Sequence, residues 1–229
     1  MRAAHVCDAC GRVQPAAPTD YFSFFGLARK LNLDLPALER EFYRLSRGLH
    51  PDLFVRATPQ EQQWSLEKSS QLNDAYRTLK DPFARTAYLL RLEGVRLEEQ
   101  SQDATRRARE TGEEKKQVVP PDLLEEVFEL NMQLEELRRN RKLGEDDPEL
   151  GKQLQAARGH FQERFEALTA ELRRLWDEWD ALPFHDQPGG QDEQSPERTR
   201  LRDRMLDLIN RRRYIQNLVR EIGEALEDL

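Results

Sequence analysis

The sequence contains little cysteine and no long apolar run. Its two cysteines, Cys7 and Cys10, lie near the start of a chain of 229 residues. A single pair cannot supply the disulfide framework of a domain of this size. No apolar stretch approaches the roughly 20 residues that a membrane-spanning helix needs, and the first residues lack the pattern of a secretory signal or a transit peptide. We therefore expect a soluble cytoplasmic protein that makes no membrane contact.

The motifs of common enzymes are also missing. The sequence has neither a glycine-rich phosphate loop nor a nucleophile elbow, which argues against a hydrolase. The formal net charge is −7, and an acidic chain is poorly suited to non-specific binding of nucleic acid. We therefore expect neither an enzyme nor a nucleic-acid-binding protein.

Composition and periodicity predict an all-α fold. Charged residues make up 34% of the chain and there are only 11 glycines, which favours helices with wide solvated faces. Apolar residues three and four apart predict a helix from Leu35 to Leu49. Thr58 to Glu61 form a capping box that begins a second helix, and Asp81–Pro82 begins a third.

The same patterns divide the chain into four parts. Residues 1–19 are an irregular N-terminal extension that carries the cysteine pair. Residues 20–95 form a first helical domain, and residues 96–120 are polar without a steady apolar period, as in a linker. Residues 121–229 contain three long helical patterns. Three antiparallel helices of this length can enclose a core of their own, so we predict a three-helix bundle.

The tripeptide His50–Pro51–Asp52 lies between the first two predicted helices. Pro51 keeps His50 out of the helical region and fixes its own backbone. The imidazole of His50 and the carboxylate of Asp52 should therefore project from a stiff turn. An exposed polar loop held by helices suits recognition by a partner, although the same residues also suit an ordinary turn.

A basic stripe precedes this loop on the first predicted helix. Arg40, Arg44 and Arg47 lie on one face, away from the apolar residues. The stripe is either a solvated helix face or a docking face for an acidic partner. We favour docking, because His50 and Asp52 lie at the end of the same helix.

The helix that begins near Asp122 carries two apolar stripes. One helix face is enough to join a bundle, so the second stripe is either covered by the rest of the chain or contacts a partner. Tyr214 lies beside the apolar stripe of the last helix, where it is either a binding hot spot or an ordinary half-exposed tyrosine. The first stripe consists of Leu123, Val127, Leu130, Leu134 and Leu137, and the second of Leu124, Phe128 and Met132.

Residues 34–90 resemble a J-domain, the module by which co-chaperones activate ATPases of the seventy-kilodalton heat-shock class. The basic helix, the tripeptide and the residues Leu72, Asn73, Ala75, Tyr76 and Leu79 carry this resemblance. Two further features are similar to the HscB (Hsc20) family, the J-proteins of iron–sulfur cluster assembly. They are the start at Asp20–Tyr21–Phe22 and the close on Pro82, Arg85, Tyr88, Leu89 and Leu90 before a separate helical domain.

The resemblance implies an N-terminal J-domain helical hairpin followed by a C-terminal three-helix bundle, with no catalytic residue. His50, Pro51 and Asp52 would stimulate ATP hydrolysis by an HscA- or DnaK-type chaperone, with the three arginines as an electrostatic dock. Leu53 departs from the basic residue that is common after the tripeptide. The bundle would hold the scaffold protein IscU, and the implied contact positions are Leu124, Glu125, Phe128, Glu129, Met132 and Tyr214.

The segment Cys7–Asp8–Ala9–Cys10–Gly11 has the spacing of a zinc knuckle. Some HscB-like proteins, notably mitochondrial ones, carry two such pairs before the J-domain, and this segment resembles the second. A tetrahedral site needs four ligands, whereas the segment offers two thiolates and His5. Zinc would need a homodimer or an external ligand; the pair could instead be a redox dithiol or bind nothing.

Two alternative functions remain open from the residues. One is a J-protein adaptor for a different client, which would use the same bundle face. The other is a metal or redox protein centred on Cys7 and Cys10, with the helices as its support.

Overall fold

A computed structural model describes residues 5–7, 11–15, 19–95, 119–145, 147–183 and 195–227, and the described part of the chain is all α. The helices are α1 (Tyr21–Phe24), α2 (Leu35–Leu49), α3 (Pro59–Lys80), α4 (Pro82–Leu92), α5 (Leu124–Leu143), α6 (Pro148–Ala181) and α7 (Pro196–Glu227). Two short 3-10 helices, Pro51–Phe54 and Pro121–Leu123, precede α3 and α5. Among these helices none is both long and apolar enough to cross a bilayer.

The chain divides into two compact units. The first unit comprises Met1–Val95 and Trp176–Glu193, and the second comprises Arg96–Leu175 and Gln194–Leu229. The predicted bundle contained all of residues 121–229, whereas the structure groups the end of α6 with the first unit.

Helices α2 and α3 form the hairpin of the first unit, and each begins where the sequence predicts. The side chain of Asp34 accepts a hydrogen bond from the Ala37 N–H at 2.9 Å. Thr58 and Glu61 exchange the two bonds of a capping box. The two helices then bury their apolar stripes, which consist of Leu38, Leu45, Leu49, Leu72, Ala75 and Leu79.

Helix α1 is fixed to α4 by an aromatic pair. The rings of Tyr21 and Tyr88 stack with centroids 4.4 Å apart, and the Tyr88 hydroxyl accepts the Tyr21 N–H at 2.9 Å. Asp20 caps α1 through the Ser23 N–H and also accepts a bond from Arg29 at 2.9 Å. Although burial opposes it, these bonds hold the pKa of Asp20 below its usual value. The Asp20–Tyr21 segment is thereby joined to α4.

The described part of the N-terminal extension packs on the hairpin. Val6 and Val13 form an antiparallel bridge, and Val13 is 1% exposed. His5 is buried with its ring 4.2 Å from that of Phe24. Its backbone oxygen accepts a bond from the buried Lys68 ammonium at 3.4 Å, and burial lowers the pKa of Lys68. This part of the extension therefore contributes to the core of the first unit.

The end of α6 binds the loop before α2 through two carboxylates, those of Asp180 and Asp177. The two oxygens of Asp180 accept the N–H groups of Leu31 and Asn32, each at 2.7 Å. The Asp177 carboxylate accepts the Asn32 side-chain amide at 3.0 Å. Hydrogen bonds to an ionised acceptor are stronger than neutral ones, and these bonds explain why the end of α6 belongs to the first unit.

Helices α5, α6 and α7 enclose the core of the second unit, as predicted for a three-helix bundle. Helix α5 ends at Gly144, whose φ of 72° favours glycine because the left-handed region strains other residues. An ion pair of 2.7 Å joins Arg211 of α7 to Asp122 before α5. The core consists of Leu123, Val127, Leu130, Leu134, Leu137, Leu150, Leu154, Phe161, Tyr214, Ile215, Leu218 and Ile222.

Replacing Asp180 by asparagine should destabilise the first unit, because an amide has one oxygen and would turn its NH2 group towards one of the two backbone N–H donors. We expect the free energy of unfolding to fall by about 1–3 kcal/mol, the usual cost of a broken charged hydrogen bond. Hydrogen exchange at the Leu31 and Asn32 amides would report the loss locally. The control is Asp177→Asn, which changes one exposed bond and should cost less than about 0.5 kcal/mol; equal effects of the two substitutions would contradict the assignment.

Candidate functional site

The His50–Pro51–Asp52 loop is exposed, as predicted. His50 has extended backbone angles, φ −60° and ψ 130°, and ends α2. The side chains of His50 and Asp52 are 56% and 85% exposed. The Nδ1 atom of His50 accepts the Asp52 N–H at 3.3 Å. In the neutral imidazole the proton is then on Nε2, so the loop presents an N–H donor beside a carboxylate acceptor.

Helix α3 holds this loop in place. The carbonyl oxygen of Leu49 accepts hydrogen bonds from the hydroxyls of Ser65 at 2.7 Å and Ser69 at 2.9 Å. The side-chain amide of Gln62 donates to the carbonyls of Val55 and Ala57, at 3.0 and 3.1 Å. The roles of Ser65, Ser69 and Gln62 were not predicted from the sequence. The available signal was a pair of serines four residues apart on α3, near the apolar stripe.

The basic stripe on α2 is exposed, but its charges are not equivalent. The guanidinium of Arg44 makes two bonds to the Glu41 carboxylate, at 2.8 and 2.7 Å, and these bonds raise the pKa of Arg44. Arg40 and Arg47 are exposed and form no ion pair with a residue that the structure describes. They carry the uncompensated positive charge of the predicted dock.

The second apolar stripe of α5 is not covered by the described chain. Leu124, Phe128 and Met132 are 54%, 69% and 57% exposed, and their spacing of four residues puts them on one helix face. Glu125 and Glu129 are exposed beside them. We call these five residues the α5 face. The first stripe of the same helix is buried, so the α5 face is not needed to form the bundle.

Tyr214 corrects one expectation. From the sequence we expected Tyr214 to be a binding hot spot or a half-exposed residue, whereas the structure buries it at 6% exposure in the core of the second unit. Tyr214, Leu218 and Ile222 are spaced four residues apart, so they share one face of α7. Burial raises the pKa of the Tyr214 hydroxyl. Its ring therefore contributes to the bundle core and not to the α5 face.

The predicted zinc knuckle is only partly described. The carbonyl of Cys7 accepts the Gly11 N–H at 2.9 Å, but Cys10 lies outside the described residues. The Nε2 atom of His5 lies 2.9 Å from the Phe24 carbonyl, which directs this nitrogen into the first unit. No group of three metal-ligating side chains occurs among the described residues. Zinc binding by Cys7 and Cys10 stays a prediction.

Truncating a buried and an exposed aromatic ring of the second unit should have different effects on its stability. Tyr214→Ala removes a buried ring and should lower the free energy of unfolding by about 3–5 kcal/mol. Phe128→Ala truncates an exposed ring and should change it by less than about 0.5 kcal/mol. Chemical denaturation followed by circular dichroism measures both. A large loss for Phe128→Ala, with little for Tyr214→Ala, would reverse the assignment.

The curated proteins that resemble this chain in sequence are named as HscB co-chaperones. No family model matches the chain. The chain is 38% identical to the iron-sulfur cluster co-chaperone protein HscB of Mus musculus over 94 residues. These residues make up 41% of this chain and 40% of that protein. It is 29% identical over 162 residues to the iron-sulfur cluster co-chaperone protein HscB homolog of Arabidopsis thaliana, which covers 70% of this chain and 58% of that protein. The chain thus spans about half the length of the curated relatives it matches.

A solved structure shares the fold. The crystal structure of human co-chaperone protein HscB aligns with a TM-score of 0.59 at 23% identity, covering 100% of this chain and 93% of that chain. The sequence similarity to the curated relatives and the common all-α fold agree with the resemblance seen in the J-domain motifs. The chain is therefore similar to HscB co-chaperones in sequence and shares the fold of one of them.

Proposed function

We propose that the chain is a co-chaperone of iron–sulfur cluster assembly in the cytoplasm. In this proposal the first unit stimulates the ATPase of an HscA- or DnaK-type chaperone, and the second unit binds an IscU-type scaffold protein and delivers it. The curated relatives are named as iron-sulfur cluster co-chaperones. The observation that carries the proposal is the exposure of His50 and Asp52 at the end of a basic helix, on a loop that hydrogen bonds from α3 hold in place.

The proposed chaperone contact combines steering with a rigid loop. Arg40 and Arg47 would attract an acidic surface and speed the encounter. The Nε2–H group of His50 and the carboxylate of Asp52 would then bond to the chaperone. Because α3 already holds the loop, little conformational entropy is lost on binding. The chain supplies no catalytic group in this proposal, since the ATP site belongs to the chaperone.

The proposed scaffold contact uses the α5 face. Complete burial of a leucine, phenylalanine or methionine side chain contributes about 1.5–3 kcal/mol, so three such residues are a substantial source of affinity. The carboxylates of Glu125 and Glu129 favour basic residues on the scaffold at the edge of the contact. The iron–sulfur cluster is cargo of the scaffold, and no residue of this chain is assigned to bind it.

The two contacts are on different units, so one molecule can engage both partners. A scaffold bound to the second unit is brought to the chaperone at a raised effective concentration. This would increase the stimulation of ATP hydrolysis beyond that produced by either protein alone, and would favour capture of the scaffold by the chaperone.

Replacing His50 by glutamine should abolish stimulation of the chaperone ATPase, because the imidazole donor beside Asp52 is lost. The variant should still fold, because the His50 side chain is exposed and does not contribute to the core. Steady-state ATP hydrolysis by the purified chaperone, with increasing amounts of this protein, measures the effect. The matched control is His160→Gln, because His160 is similarly exposed, at 57%, on α6 of the second unit. Unchanged stimulation by the folded His50 variant would refute the role of the loop.

Replacing Phe128 by serine should weaken scaffold binding by about 10- to 150-fold, which corresponds to the loss of one buried aromatic contact. Isothermal titration calorimetry with the purified scaffold measures the dissociation constant. Leu143→Ser is the control, because Leu143 is 65% exposed on the same helix but lies about three turns beyond Met132. Stimulation of the chaperone without scaffold should be normal in both variants; equal scaffold affinity for the two would count against the α5 face.

A further inference from the structure

The segment that follows the tripeptide exposes apolar side chains. Leu53 is 63% exposed and Val55 is 67% exposed, whereas Phe54 between them is 8% exposed. Arg56 is also exposed and forms no ion pair with any residue in the described part of the chain. Phe54 therefore anchors the segment, and its three neighbours are directed to solvent.

The backbone explains this division. Leu53 N–H donates to the His50 carbonyl at 3.0 Å, and Ala57 N–H donates to the Phe54 carbonyl at 2.9 Å. Both bonds span three residues, as in a 3-10 helix, in which residues three apart lie one above the other. Pro51, Phe54 and Ala57 accordingly form the inner row, all less exposed than their neighbours. Leu53 and Arg56 form one outer row.

The segment is held rigidly enough to serve as a binding surface. The Gln62 amide bonds the carbonyls of Val55 and Ala57, and the Phe54 ring is buried. Side chains on a fixed backbone lose less entropy on binding than those on a mobile loop. Leu53 and Val55 contribute little to the core, so their apolar surface is available to a partner.

We propose that Leu53, Val55 and Arg56 extend the chaperone contact of His50 and Asp52. This rests on the proposed function, because the segment is continuous with the loop assigned to the chaperone. The outer row pairs an apolar side chain with a cation, and Val55 adds apolar surface. It fits a chaperone surface with an apolar depression bordered by carboxylates. These residues determine how tightly the chaperone binds, whereas His50 determines whether hydrolysis is stimulated.

The two roles, binding strength and stimulation of hydrolysis, can be separated by measuring the chaperone ATPase rate at increasing concentrations of this protein. Leu53→Ser should raise the concentration for half-maximal stimulation about 10-fold, as expected for one lost apolar contact, at every ionic strength. Arg56→Gln should raise it about 3- to 10-fold at low salt, and this effect should shrink in about 1 M salt, where the Debye length is about 3 Å. Both variants should reach the wild-type maximal rate.

The controls are Leu143→Ser and Arg173→Gln, which alter exposed residues of the second unit and should behave as wild type. Thermal unfolding establishes that each variant is folded, and Leu53→Gln replaces Leu53→Ser if the latter is not. If the Leu53 and Arg56 variants need the same concentration as wild type for half-maximal stimulation, and His50→Gln does not stimulate, this inference is wrong but the proposed function stands. Full stimulation by His50→Gln would instead overturn the proposed function.

Discussion

Helix α2 ends at Leu49, because Pro51 lacks the N–H that another turn would need, and this leaves a buried carbonyl to be bonded. The hydroxyls of Ser65 and Ser69 supply the two bonds. An unpaired buried carbonyl would cost about 1–3 kcal/mol, so the bonds tie the end of α2 to the middle of α3. The position of the exposed loop depends on this joint, since His50 is the next residue in the chain.

Helix α5 shows how one helix serves a core and a surface. Its buried stripe is sufficient to join α6 and α7, so nothing in the bundle requires the apolar residues of the α5 face. Exposed apolar residues are ordinary when they are scattered, but three in one row with a carboxylate rim are typical of an interaction site. The arrangement therefore supports a partner on this face more strongly than the exposure of any one residue would.

Local sequence signals predicted the helices well. The bounds of α2 and the capping box of α3 follow from Asp34, Thr58 and Glu61, whose bonds span only three residues. The exposure of the His50 loop follows from Pro51 and the adjacent helices in the same way. Periodicity also separated the buried stripe of α5 from the α5 face, although it could not decide whether the rest of the chain covers that face.

Contacts between distant residues could not be predicted in this way. Asp180 bonds a loop 149 residues away in sequence, and no local pattern indicates that pairing. The burial of Tyr214 depends on which side of α7 meets the other helices. Spacing places Tyr214 in line with Leu218 and Ile222. The apolar pattern of one helix does not show, however, which residues at the edge of its stripe the other helices bury. The ion pair of Arg44 with Glu41 shows the same limit, because three arginines on one face do not reveal which of them is neutralised.

That ion pair changes how the basic stripe should act. Arg44 lies between Arg40 and Arg47 and is compensated by Glu41, so the available charge lies near the middle of α2, at Arg40, and at its C-terminal end, at Arg47. The charge at Arg47 lies beside the His50 loop, and that at Arg40 lies about two turns away. Charges separated by about a Debye length at physiological salt act on a partner largely independently. The helix is therefore better suited to orienting an approaching acidic surface along its axis than to holding it at one point, and the rigid loop provides the fixed contact that steering alone cannot.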